Sequence, residues 1–295
     1  MRLTVNRQFI LPIILAAALC LGAGAPKGGP YFHRVESATS RDGLQFERDG
    51  KVLREHASVP CALVRGSEIF VYFVDAGQVG QGPHKQETVK GIVSKDSGKS
   101  WEYLDVQIEG LSGDKAVDPS AVLLPDGRIR LYYYSVRGRI DSEDDHAIAS
   151  AVSSDGVNFE EEGRVFAYPG LVDPDVFKTD SGYEMYVFSL SAHGTVVADS
   201  RDGKTFEYKG MHPLQGYGTV APVRLPDGRW RQYAFEQPSS NSIVSFVSGD
   251  LESWETEPGE RLTVAKDEEI TDPFVVRLPD GRWKMFFKIT EKGIR

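Results

Sequence analysis

Hydrophobic and polar residues alternate in short runs along the chain, and residues 171–210 show the pattern most clearly. An apolar run after an Asp-Pro pair, an aromatic run at 183–190, a third run at 195–199 and a last one around Phe206 are separated by polar turns. Runs of β-branched and aromatic residues of this length, bounded by turn residues, predict four short strands in an antiparallel meander. Such a unit cannot bury both faces alone, so we expect copies of it to stack.

The unit recurs five times, and a proline near the start of its first strand marks each copy. The prolines are 59, 55, 48 and 51 residues apart, at Pro60, Pro119, Pro174, Pro222 and Pro273. Five related turns, most of them Ser-x-Asp-Gly, begin at residues 40, 94, 153, 200 and 248. The copy at 94–101 matches the Asp-box pattern Ser-x-Asp-x-Gly-x-x-Trp in full. We expect these turns to be structural, with the carboxylate accepting hydrogen bonds from turn amides.

The two ends of the chain predict how the repeats close. The first Ser-x-Asp turn precedes the first proline corner, and the chain stops soon after the second strand of the fifth corner. Residues 31–50 would therefore supply the outer strands of the last blade, and residues 270–290 its inner strands. This pairing leaves no open sheet edge between the termini. The sequence predicts an all-β, five-bladed β-propeller over residues 26–295, with no separate second domain.

Residues 1–25 have the pattern of a secretory signal peptide. Arg2 and Arg7 precede an apolar run that ends in small residues and is too short to span a membrane. Lipid attachment at Cys20 is not favoured, because Leu19 before it is large. The protein is predicted to be secreted or periplasmic.

Charge and cysteine content limit the partners and the means of stabilisation. Without the signal peptide the chain has 32 basic and 43 acidic side chains, a net charge of −11, which is unsuited to nucleic acids and anionic membranes. We expect no membrane insertion and a monomeric protein. Cys61 would be the sole cysteine, so the fold must be held by its core rather than by a disulfide.

Three corner aspartates are the leading candidates for chemistry. In a four-stranded blade the innermost strand lies along the central channel, which places Asp118, Asp173 and Asp272 at one mouth, with the Ser-x-Asp turns at the opposite end. Carboxylates that converge from three blades repel one another, so we expect some to have raised pKa values unless a cation intervenes. Glycoside hydrolysis requires one carboxyl group with a raised pKa beside another whose pKa is not raised.

Other residues are predicted at the same mouth. Histidines seven residues before a Ser-x-Asp turn fall in the blades that carry the corner aspartates, either as structural hydrogen-bond partners of those aspartates or as substrate ligands. A three-histidine metal site is disfavoured, because third strands lie about 10 Å from the inner strands. No cofactor is expected to be required, although a structural Ca²⁺ would suit aspartate ligands. The candidate substrate-binding residues are His33, His146, His193, Tyr168, Tyr217 and Arg137, the tyrosines as sugar-stacking surfaces.

The five corners and the segment Val-Asp-Pro-Asp-Val-Phe at 172–177 resemble the glycoside hydrolases of families 43 and 32. Those families place a base or nucleophile Asp on one blade, no acid on the next, a modulating Asp-Pro on the third and an acid Glu on the fourth. If segment 172–177 is the third-blade motif, the first and fourth places are Val59-Pro60 and Ala221-Pro222, so base and acid would both be missing.

The same resemblance can be applied in a rotated register, in which blade five counts as the first blade. In that register every role is assigned. This register makes Asp272 the base, Pro60 the blank place, Asp118 the modulator and Asp173 the acid, with Glu236 as a substitute acid. The Asp boxes also resemble those of sialidases, but the arginine cluster and the Phe-Arg-Ile-Pro segment of those enzymes are missing from the sequence, so a sialic-acid substrate is not expected. Two functions follow: a secreted glycoside hydrolase acting on an oligo- or polysaccharide, or a non-catalytic glycan-binding or scaffold propeller.

Overall fold

The computed structural model describes residues 29–77, 87–136, 146–219, 221–237 and 240–293. These residues form an all-β, five-bladed propeller, as the repeat predicts. Apart from one 3₁₀ turn at Pro30–Phe32, every regular element in the described ranges is a strand.

The strands follow the chain blade by blade. Two strands precede the first blade: β1 (His33–Ser40) and β2 (Glu47–Glu55). Blade one contains β3 (Ala57–Arg65), β4 (Glu68–Asp75), β5 (Thr88–Ser94) and β6 (Glu102–Leu104). Blade two contains β7 (Gln107–Glu109), β8 (Lys115–Leu123), β9 (Ile129–Val136), β10 (Ala147–Ser153) and β11 (Asn158–Ala167). Blade three contains β12 (Leu171–Lys178), β13 (Tyr183–Ser189), β14 (Gly194–Ser200) and β15 (Glu207–Met211).

The last two blades depart from the simple four-strand unit. Blade four has a divided inner edge and a divided outer edge: β16 (Tyr217–Thr219), β17 (Val223–Arg224), β18 (Trp230–Glu236), β19 (Ser242–Ser248), β20 (Glu255–Thr256) and β21 (Leu262–Thr263). Blade five has its inner strands at the end of the chain: β22 (Glu268–Arg277) and β23 (Trp283–Glu291). Its strand order is β2-β1-β23-β22. In blade two, β7 pairs in parallel with β11 as an additional strand that the repeat does not predict.

Pairing between β1 and β23 closes the ring. The ladder runs over the whole of β1, from the His33–Thr290 pair to the Ser40–Trp283 pair. Ion pairs join the N- and C-terminal strands beside it: Arg48 to Glu268 at 2.8 Å and Lys284 to Asp49 at 2.8 Å. The predicted closure is therefore confirmed, with β2 extending to Glu55 rather than ending near residue 50.

Three of the five seams between blades are joined by the same hydrogen bond. Tyr72, Tyr132 and Tyr233 occupy equivalent places in the second strands of their blades. Each phenol donates to the carbonyl of a turn glycine in the next blade, namely Gly156, Gly203 and Gly43, at 3.0, 2.8 and 2.8 Å. Because the tyrosines are almost fully buried, these bonds satisfy hydroxyls that would otherwise be costly to bury.

The Ser-x-Asp turns supply those glycine carbonyls. In the turn at 153, Asp155 accepts hydrogen bonds from the amides of Val157 and Asn158 at 2.8 Å each, and Ser153 accepts one from the amide of Gly156. Since each turn follows a third strand whose other end lies at the opposite mouth, the turns occupy the far end of the propeller. The carboxylates of these turns therefore have a structural role.

A turn glycine tests the importance of the seam. Gly203 and Gly66 both have a positive φ, of 73° and 63°, but a Cβ at Gly203 would lie 2.6 Å from Tyr132 Oη whereas none of the structure lies within 4 Å of one at Gly66. We expect Gly203→Ala to lower the free energy of unfolding by about 1–3 kcal/mol more than Gly66→Ala, because only the former adds a clash to the backbone strain. Urea unfolding of both variants measures the difference. Equal losses would contradict the proposed packing.

Candidate functional site

A backbone irregularity in four inner strands forms the site. The ladder register shifts in β3, β8, β12 and β22 at the proline corner. The residue before each proline has a left-handed backbone, with φ of 49° at Val59, 53° at Asp118, 50° at Asp173 and 52° at Asp272. Aspartate adopts the left-handed region at a lower cost than most residues, whereas a β-branched valine adopts it at a high cost. Bulges of this kind re-aim side chains, here at the channel mouth.

The mouth contains a cavity of about 210 Å³ between the inner strands. Asp173, Asp175 and Asp272 provide its carboxyl groups, and Thr195 and Gln237 add further polar groups. The remaining walls are apolar or backbone: Val59, Pro60, Pro119, Val172, Phe188, Leu190, Gly218 and Phe235. Asp118 adjoins this group, because its carboxyl accepts a hydrogen bond from the Asp173 amide.

Lys288 lies within the carboxylate cluster. Its Nζ is 2.6 Å from Asp272 Oδ2, with both side chains largely shielded from solvent. Burial alone would lower the pKa of Lys288, but the nearby carboxylates, Asp272 above all, raise it. The lysine is therefore held charged, and Asp272 is the carboxylate that directly contacts a cation.

The other two aspartates favour the protonated state. Burial, followed by the charge of Asp173, raises the pKa of Asp118 well above its ordinary value. Burial and the charge of Asp272 raise the pKa of Asp173 to about 6, against an opposing effect of Lys288. The mouth thus combines an ion-paired carboxylate with carboxyls that hold their protons more tightly than aspartate normally does.

Sequence reasoning missed two residues of this cluster, although both left a signal. Lys288 occupies a second-strand place that is apolar in the other four blades: Val74, Tyr134, Phe188 and Phe235. Asp175 follows a corner proline at a place where the other blades have no carboxyl group. Burial and the charge of Asp173 raise the pKa of Asp175 well above its ordinary value.

Two of the predicted histidines lie at seams between blades. His33 Nδ1 is 3.1 Å from Ser58 Oγ of blade one, and burial together with Lys288 lowers the pKa of His33 to about 4. His146 is buried, and its Nδ1 is 3.0 Å from the carbonyl oxygen of Leu171 in blade three. These contacts cross from one blade to the next, so they differ from the Asp–His pairs within a blade that the spacing suggested.

The remaining predicted residues lie away from the cavity walls. His193 is exposed in the turn between β13 and β14, and Glu236 is exposed although its neighbours Phe235 and Gln237 line the cavity. Tyr168 stacks on Tyr208 of the outer strand β15 at 5.4 Å.

Tyr217, at the inner edge of blade four, packs edge-on against Phe246 at 5.0 Å. Arg137 lies outside the described residues.

The described ranges contain no group of three or more His, Cys, Asp or Glu side chains arranged to hold a metal ion. A structural Ca²⁺ therefore remains a prediction without a ligand set. None of the described segments is a helix long and apolar enough to cross a membrane.

The fold is shared with structurally characterised glycoside hydrolases. No protein-family model matches the chain, and no curated protein matches it. A family 43 β-1,3-galactosidase solved with galactodeoxynojirimycin superposes with a TM-score of 0.59 at 13% identity, covering 83% of this chain and 87% of that one. An endo-1,4-β-xylanase from Bacteroides thetaiotaomicron gives 0.58 at 15% identity, with coverages of 80% and 86%. A family 117 glycoside hydrolase from Zobellia galactanivorans gives 0.53 at 13% identity, with coverages of 89% and 91%. The chain therefore has the five-bladed propeller fold found among glycoside hydrolases.

The raised pKa of Asp173 has a consequence for stability that does not depend on function. Between pH 3.8 and about 6 the native state binds more protons at this carboxyl than the unfolded state, so the free energy of unfolding falls as pH rises through that window. Asn cannot titrate and tolerates a left-handed backbone. We expect Asp173→Asn to gain at least about 1 kcal/mol relative to the wild type between pH 4 and pH 7.

Asp155→Asn provides a control of opposite sign for this measurement. Burial would raise the pKa of Asp155, but hydrogen bonds from Asn158 and Val157 hold it well below its ordinary value. Because this stabilisation is already present above the ordinary pKa of 3.8, Asp155→Asn should be less stable than the wild type by nearly the same amount at pH 4 and pH 7. Denaturant unfolding at the two pH values measures both variants. An Asp173→Asn difference that does not change with pH would contradict the buried, repelled carboxyl.

Proposed function

We propose that the protein is a glycoside hydrolase that acts on a glycan through carboxylates at the channel mouth. The observation that carries the proposal is the convergence of Asp118, Asp173 and Asp272, from three blades, on one mouth where their charges interact. Lys288 completes the group through its contact with Asp272. Hydrolysis of a glycosidic bond needs one carboxyl that donates a proton and one carboxylate that acts as nucleophile or base. In this cluster Asp173, whose pKa is raised, suits the first role, and the ion-paired Asp272 suits the second.

The electrostatics favour the rotated assignment of roles. Asp272, in contact with a charged lysine, is the carboxylate suited to attack the anomeric carbon or to activate a water molecule. Asp173 holds its proton up to about pH 6 and can deliver it to the glycosidic oxygen. Burial and the charge of Asp173 raise the pKa of Asp118 as well, so Asp118 modulates the protonation of the neighbouring Asp173.

The cavity walls suit a sugar ring. Phe188 and Phe235 provide aromatic surfaces on which the C–H face of a sugar can pack, while the carboxyl groups, Thr195 and Gln237 offer hydrogen bonds to hydroxyls. The similar structures include a β-1,3-galactosidase and an endo-1,4-β-xylanase, so the sugar cannot be taken from the fold and a panel of substrates is needed. We also propose that the protein works outside the cytoplasm, as its first 25 residues predict.

Two observations favour a second function, a non-catalytic glycan-binding propeller. The ion pair to Lys288 occupies one oxygen of Asp272, and Glu236, the substitute acid of the predicted set, is exposed rather than cavity-lining. A binding propeller of this kind would bind oligosaccharides without turnover, and its binding would survive Asp173→Asn.

Substitution of the aspartates separates these functions. The protein without residues 1–25 is assayed against aryl glycosides and oligosaccharides of galactose, xylose, arabinose, fructose and mannose. We expect hydrolysis of at least one member, and a loss of about 100-fold or more in kcat/KM for Asp118→Asn, Asp173→Asn and Asp272→Asn, because each removes a carboxyl from the reacting cluster.

Asp180→Asn is the matched control and should retain wild-type activity. Asp180 lies in an exposed turn at the opposite end of blade three, where it forms a solvent-exposed ion pair with Arg224. Activity that is unchanged in Asp118→Asn would refute the site. Sugar binding with no turnover in the wild type would instead support the binding propeller.

A further inference from the structure

Asp175 occupies a repeated place in the inner strands, directly after the corner proline. Its equivalents in the other blades are Cys61, Ser120, Val223 and Phe274. In blade two, Ser120 Oγ accepts a hydrogen bond of 2.8 Å from the amide of Val176 in the next blade. In blade one, Cys61 Sγ is bonded in the same way to the amide of Ala121. The short polar side chains at this place therefore cap an amide of the neighbouring inner strand.

The side chain of Asp175 caps a different amide from those capped in blades one and two. Its carboxyl accepts a hydrogen bond from the amide of Ala221, the corner residue of blade four, which lies nearer the mouth than the amides capped in the earlier blades. The side chain consequently lines the cavity together with Asp173, whereas Ser120 is fully buried and is not part of the cavity wall. Asp175 thus projects a carboxyl toward the corner of blade four, which has no aspartate of its own.

The contact with Ala221 leaves hydrogen-bonding capacity on the cavity side. A carboxyl group has two oxygens, and a single amide cannot use all their capacity. Burial and the charge of Asp173 favour the protonated form, in which the group can donate a hydrogen bond as well as accept one. A neutral carboxyl among carboxylates can therefore bind a hydroxyl group without adding to the negative charge of the mouth.

We propose that Asp175 is a substrate-binding residue whose carboxyl hydrogen-bonds a hydroxyl group of the sugar held at the mouth. This inference rests on the proposed action on a glycan, but it does not require turnover. Asp175 binds and orients the sugar, while the proton transfer belongs to Asp173. Because a buried polar group that loses its partner is costly, this contact would also discriminate against sugars that lack the hydroxyl.

Binding is measured by calorimetry with galactotriose, xylotriose and arabinotriose, in the Asp118→Asn background so that no substrate is consumed. Asp175→Ala removes the hydrogen-bonding group and should weaken the binding of the best trisaccharide about 10- to 100-fold. Asp175→Asn keeps a donor and an acceptor of the same shape and should bind within about threefold of the parent.

Ser120→Ala in the same background is the matched control. It removes the equivalent amide cap in blade two without touching the cavity wall, so it should lower the thermal unfolding temperature about as much as Asp175→Ala and leave binding unchanged. Equal binding by Asp175→Ala and its parent would overturn the inference alone, as would equal weakening by Ser120→Ala. A wild type that hydrolyses no member of the substrate panel above, together with a parent and a wild type that bind none of the sugars of that panel, would overturn the proposed function and this inference together.

Discussion

The ladder between β1 and β23 is the interaction on which the rest of the structure depends. Without it, blade five would be a two-stranded hairpin with an exposed edge, and the N-terminal strands would have no sheet to join. The pairing runs the full length of β1, and ion pairs such as Arg48–Glu268 fix the two ends of the chain alongside it. Closure also determines the site, because Asp272 and Lys288 come from blade five and meet Asp118 and Asp173 only when the ring is complete. The site is therefore complete only in the closed ring.

The second constraint is the bulge in the inner strands, which costs stability but directs side chains from several blades toward one mouth. A left-handed backbone at the corner costs little for an aspartate and more for a valine, yet Val59 retains it. The conformation is therefore a property of the repeat, while the side chain that it presents varies from blade to blade. Three blades present a carboxyl, and blade five adds a lysine. The charges that result oppose one another in a poorly solvated channel, which is why Asp118 and Asp173 hold their protons so tightly.

Much of the fold was predictable, because the proline corners and Ser-x-Asp turns recur in the sequence and their phase reveals the closure. The corner aspartates were predictable for the same reason. Asp175 was not, because the bulge at its corner interrupts the alternation of faces along β12, so the direction of residues beyond it cannot be counted from the pattern. Lys288 was not either, because it lies on a second strand whose equivalent places are apolar in the other blades. Glu236 lies at the end of the second strand of blade four with its side chain exposed, and its role as a substitute acid stays a prediction. Tyr168 stands on the connection between blades two and three, where it stacks on Tyr208 of the outer strand β15, and the repeat alone does not predict this contact.

Asp118, Asp173, Asp272 and Lys288 form one electrostatic unit, because their charges shift one another's pKa values. Titration of the aspartate carboxyl carbons by NMR, in the wild type and in Asp272→Asn, tests it most directly. The wild type should show Asp173 titrating at about pH 6. In the variant its pKa should fall, because the repelling charge is removed while Lys288 remains. An Asp173 carboxyl that titrates near the ordinary value in the wild type, or one that does not respond to Asp272→Asn, would contradict the account.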